Sequence, residues 1–203
     1  GKEPLERIEL PDMSLDLTTG DDFATGYQLV TQGTLSEAQA VLTRMEERIA
    51  NTVVKTVEEG LHEDDLATSE DGYLMATIMT RELQALLWYR SGRIDEAIEL
   101  MRSAAADESG RPLYYGPPHI PKPSSELLGE MLLAQGRPEE AVAEFEGTLL
   151  QNTGRSMALL GLARAEAAAG NAKSSSETRA LLAANWTGDL EAFWNLPYTW
   201  LGD

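Results

Sequence analysis

From Leu127 to Leu149 apolar residues recur at helical spacing, stop, and resume. Leu127, Leu128, Met131 and Leu132 mark one stretch, Gln135-Gly136-Arg137-Pro138 interrupts it, and Ala141, Val142, Phe145 and Leu149 carry the same period onward. The pattern predicts two helices folded back on each other through a tight turn. Gly136 stands where a left-handed backbone ends the first helix, and Pro138 suits the first turn of the second. Gly129 and Ala141 are small enough to let the paired helices cross closely, while Phe145 is large enough to fill the space beyond.

Measured from the turn glycine, the signal is a small residue seven positions before, Glu-Ala four and five after, and a large apolar residue nine after. The same ruler laid on Gly33 finds Gly26, Glu37, Ala38 and Leu42, and on Gly92 it finds Ala85, Glu96, Ala97 and Met101. On Gly170 it finds Ala163, but Ser174 and Ser175 replace Glu-Ala, so the last match is degraded. The chain therefore reads as all-α, a set of helical hairpins turning near residues 33, 92, 136 and 170, with no strand-like alternation.

Between these hairpins the periodicity lapses. A long helix is expected from Leu35 through Val57, ending near Gly60, and another from Tyr73 to Arg90, with a polar connection between them. Glu108 to Pro123 holds five prolines and two glycines and reads as an irregular loop, 108–123. Residues 1–20 read as an extended leader, 21–186 as the repeat domain, and 187–203 as an aromatic C-terminal cap; Trp186 at the domain's end, with Phe193, Trp194, Tyr198 and Trp200 of the cap, is expected to cover the apolar end of the last hairpin.

These hairpins resemble the tetratricopeptide repeat, paired antiparallel helices of about 34 residues that stack into a right-handed superhelix. The turn glycines are unevenly spaced, and only the interval from 136 to 170 has the family's period, so the array is interrupted twice. From about Met79 to Trp186 the chain is also similar to the C-terminal repeats of uncharacterised bacterial tetratricopeptide proteins, many of them exported; Arg81 and Gln84 depart from that pattern by standing at core positions. The resemblance implies this architecture, and export ahead of a cytoplasmic location; the chain as a whole reads as an interaction module without catalysis.

Charge narrows the partners. With 34 acidic against 16 basic residues the formal net charge is −18, which disfavours nucleic acid and anionic membrane surfaces alike. The absence of Cys removes disulfides, thiol catalysis and thiolate metal sites. The two histidines, His62 and His119, lack metal-ligand spacing, and "HEDD" at 62–65 lacks the turn glycine of a calcium loop. Ser124-Ser125-Glu126 reads as a helix N-cap ahead of a nucleophile. No catalytic residue, metal or cofactor is expected.

The resemblance also supplies groove positions, because residues ten, six and three before the turn glycine line the concave face in tetratricopeptide repeats. Here they include Phe23, Tyr27, Glu82, Tyr89, Glu126, Glu130 and Arg164. Members that grip a partner's C-terminal carboxylate use Lys and Asn at such places; Glu here implies instead a protein or peptide partner of basic or amphipathic character. Tyr114, Tyr115 and His119 in the loop are either anchors for a ligand or fillers of the gap in the array. A small-molecule or carbohydrate binding protein, with those tyrosines as stacking platforms, is the alternative. Replacing Ala97 or Ala141 by Leu is expected to destabilise the fold by about 1–3 kcal/mol through overpacking. Unchanged denaturation midpoints in both variants would remove those alanines from the helix crossing.

Overall fold

The computed structural model describes residues 14–58, 71–111, 120–198 and Trp200. Among them every regular element is a helix: α1 (Leu15–Thr31), α2 (Leu35–Glu58), α3 (Asp71–Arg90), α4 (Ile94–Ser109), α5 (Ser124–Ala134), α6 (Pro138–Gln151), α7 (Ser156–Ala168), α8 (Ala172–Asn185) and the short α9 (Leu190–Trp194). The first eight form four antiparallel hairpins that stack in chain order.

Each hairpin closes the same way. Gly33, Gly92, Gly136 and Gly170 have φ of 78°, 86°, 68° and 81°, a backbone that other residues adopt at a cost. That conformation turns the next N–H back onto the helix: Thr34 donates to the Leu29 carbonyl, Arg93 to Trp88, Arg137 to Leu132 and Asn171 to Glu166, at 2.8–3.0 Å. Carbonyls that the helix end would leave bare are thus satisfied within the turn.

The small residues before each turn allow the helices to touch. A Cβ on Gly26 would lie 2.5 Å from Leu83, and one on Gly161 only 2.3 Å from the Phe145 ring, which also closes on Gly129. Ala38, Ala97 and Ala141 are fully buried. In the last hairpin, where the pattern looked degraded, Ser175 takes the alanine place, is buried, and donates its hydroxyl to the Ala163 carbonyl at 2.7 Å. The crossing survives because the extra oxygen has a partner.

Helix α1 begins at Leu15, inside the expected leader. Its inward face hides from a hydrophobicity reading because Asp16, Thr19 and Asp22 are buried on it. Asp22 is held by Arg44 at 2.7 Å and Arg48 at 3.1 Å from α2, and Thr19 donates to the Leu15 carbonyl. Helix α4 likewise runs on through Ser109, into the stretch expected to be loop. Arg81 is no core residue but pairs with Asp107 of α4. Residues 112–119, with Tyr114, Tyr115 and His119, and the run His62 to Asp65 lie outside the described residues.

The C-terminal aromatics divide. Trp186 stacks on Phe193 at 4.0 Å, and with Trp194 they cover Leu159, Leu160 and Leu182 at the end of the last hairpin. Tyr198 and Trp200 leave that cap and join the main core, contrary to the sequence expectation. Gly161→Ala is expected to cost about 1–3 kcal/mol by driving a methyl into Phe145. In a Phe145→Leu background the added cost should shrink, and a double-mutant cycle by urea denaturation measures that coupling.

Candidate functional site

The first helices of the four hairpins, α1, α3, α5 and α7, supply the residues assigned to the concave face. They are not open to solvent as an acidic surface would be. Glu82, Glu126 and Glu130 are 0%, 0% and 1% exposed, Phe23 and Tyr89 are core, and only Tyr27 and Arg164 are partly exposed. The physical reason is that two other parts of the chain come in over these helices and neutralise them.

The first is the end of the connection into α5. Lys122 places its ammonium 2.8 Å from Glu130 Oε1 and 3.1 Å from Glu126 Oε1, and lies over the Tyr27 ring. Arg155, just before α7, donates to Glu126 from Nε at 2.6 Å and from Nη2 at 3.1 Å. Burial opposes ionisation of Glu126, yet Lys122 and Arg155 outweigh it and hold the carboxyl below its ordinary range. Burial dominates at Glu130 and pushes it up against the pull of Lys122. Lys122 itself is lowered by burial but raised further by Glu130 and Glu126, so it keeps its proton. Burial raises the Tyr27 hydroxyl to about 12, against the pull of Lys122.

Glu82 is the third carboxylate, on α3. Ser124 donates its hydroxyl to Glu82 Oε1 at 2.8 Å, while its backbone N–H donates to Glu108 Oε2 at 2.6 Å. Ser124 therefore does not cap α5 with its own side chain; the carboxylate of Glu108, at the end of α4, takes that place beside the positive end of the helix. Glu82 Oε2 is buried without a hydrogen bond among the described residues. Burial, then the nearby Glu108, pushes the Glu82 carboxyl well above the usual range.

The second arrival is the segment after α9. Arg164 donates to the carbonyls of Trp194 and Leu196 and faces the Tyr198 ring at 5.3 Å. The Trp200 indole N–H then donates to Glu130 Oε2 at 2.7 Å, and its ring meets Tyr89 edge-on, centroids 5.1 Å apart. Arg90 donates to the Trp200 carbonyl at 2.9 Å and to the Val30 carbonyl at 3.0 Å. The segment thus passes from α7 over α5 to α3, a strap across the first helices in reverse order. Sequence reasoning missed Lys122, Arg155, Arg90 and Trp200 as parts of this site. No local signal marks them, although a lone Lys between two prolines next to Glu at 126 and 130 is one that spacing could have raised.

Two of the carboxylates are tied to cations, the third is held by a hydroxyl, and an indole fills the space between. Among the described residues there is no group of three or more metal-ligating side chains, and no helix long and apolar enough to cross a membrane. An acid whose folded pKa lies above its unfolded one binds more protons when folded, so stability falls as pH rises between the two values. For Glu82 that window opens at the ordinary value of 4.5 and extends up through its raised pKa. Glu82→Gln, which stays neutral, is expected to flatten the decline in urea midpoint across that window; an unchanged slope would place the proton elsewhere.

The family description "Tetratricopeptide repeat" matches residues 125–146, which cover nearly all of α5 and more than half of α6. No curated protein and no solved structure matches the chain. The matched hairpin shares its left-handed glycine turn with the other three, and its close helix crossing recurs along the stack, so the described residues form an all-α array of hairpins similar to the tetratricopeptide repeat.

Proposed function

We propose that the chain is a protein-interaction module without catalytic chemistry of its own, and that its concave face takes a peptide segment of amphipathic character. The observation that carries this is the seat of Trp200: an indole fully buried against Tyr89, its N–H on Glu130. A groove that holds one part of its own chain by an aromatic anchor, and that part's carbonyls by Arg90 and Arg164, has the chemistry to hold a foreign segment in the same way. Between the basic and amphipathic partners expected from the sequence, amphipathic is favoured, since Lys122 and Arg155 already meet the groove carboxylates. The net charge of −18 still disfavours acidic segments.

Three fluorescent peptide pools, amphipathic with aromatics, basic without aromatics, and acidic, separate these readings by polarisation at two salt concentrations. The expected order of affinity is the order given, with binding of cationic members weakening as added salt brings the Debye length below about 10 Å. Preference for the acidic pool, or no peptide binding together with a rise in melting temperature on adding a neutral sugar, would sink the proposal.

A further inference from the structure

The strap after α9 belongs to the chain yet lies over the concave face as a bound peptide would. Asn195, Leu196 and Pro197 are exposed, Leu196 at 41%, so the approach to the groove is made through solvent. Tyr198 is half-buried, and among the described residues of the strap only Trp200 goes fully in. The groups that hold it come from the groove helices: Arg164 on α7, Glu130 on α5, Tyr89 and Arg90 on α3. They grip backbone carbonyls and one indole N–H, contacts that any chain with a tryptophan at the right place reproduces.

We propose that this strap is a displaceable internal ligand. It holds the groove shut in the intact chain, and the partner that opens it is a segment presenting a tryptophan to Glu130, an aromatic residue two positions before it, and carbonyls for Arg90 and Arg164. The inference rests on the peptide-groove reading above and adds the partner's specificity and its control. A tethered ligand competes at a local concentration of order millimolar. The apparent affinity of a partner is accordingly reduced by the fraction of chains whose strap is open. Lys122 remains on Glu126 and on the other oxygen of Glu130 throughout, so the indole is the group that discriminates.

The test uses a fluorescent, acetylated and amidated peptide of the chain's own sequence from Leu196 to Trp200. Its binding is measured to the intact chain, to a chain ending at Asn195, and to full-length Trp200→Phe, which keeps a ring but loses the N–H. The truncated chain is expected to bind at least ten times more tightly than the intact one, with Trp200→Phe between them. The same peptide carrying Trp200→Ala should not bind. A truncated chain that keeps its helical circular dichroism and ignores the peptide overturns the proposal, as does equal binding by all three proteins. Should truncation unfold the chain, hydrogen exchange on the intact protein decides: amides of 195–200 must exchange through local opening, faster than those of α5, and exchange only on global unfolding overturns the idea. A dimer of the intact chain that Trp200→Phe abolishes would put the strap in a second copy and overturn it too. Peptide pools that bind intact and truncated chains equally leave the interaction module standing but remove the strap as its competitor. Binding of the chain's own peptide with no pool bound retains the strap and removes the foreign amphipathic partner.

Discussion

Glu130, on α5, has almost no contact with water, and a charge in that position has to be met on both oxygens. Lys122 meets one and the Trp200 indole the other. Neither partner belongs to a groove helix. Lys122 brings the end of the connection between α4 and α5 down onto α5, and Trp200 brings the chain back from its far end. The approach of both segments to α5 follows from satisfying this carboxylate.

The same logic repeats one hairpin away with weaker means. Glu82 has a hydroxyl instead of a cation, and its second oxygen has no hydrogen bond among the described residues, so it retains its proton to higher pH than an ordinary glutamate. Glu108, the neighbouring carboxylate, is also pushed up by burial, with the Ser124 N–H opposing. Together they join α3 and α4 to the start of α5 across the interruption in the array. A long connection is tolerated there because both of its ends are fixed by side chains, and chain length alone adds little to the cost of closing a loop.

What was legible in the sequence was local. The turn glycines, the small residues at the crossings and Phe145 announce themselves within a hairpin, because helix ending and close packing depend on neighbours a few positions away. The start of α1 was not legible, since Asp16 and Asp22 sit where a core residue was sought and Asp22 is satisfied by arginines of the next helix. The site was half legible. Family offsets picked out Glu126, Glu130, Tyr89 and Arg164, but nothing within a few residues of them reports that Lys122, Arg155 and Trp200 fold over them. Trp200 lies 70 positions from Glu130, and a pairing that distant leaves no periodicity.

Arg90 ties together regions that a linear stack keeps apart. In a repeat array each hairpin answers only to its neighbours, so the ends can fray while the middle persists. Here one guanidinium at the end of α3 binds the last turn of α1 through Val30 and the strap through Trp200, a residue 110 positions later in the chain. The first hairpin and the far end of the chain therefore share a fastening. Loosening the strap weakens the hold on α1, and melting α1 frees Arg90 from half of its bonds. Local opening of the strap and fraying of α1 are thereby coupled through one side chain, so an event at one end of the stack is felt at the other without the helices between them having to unfold.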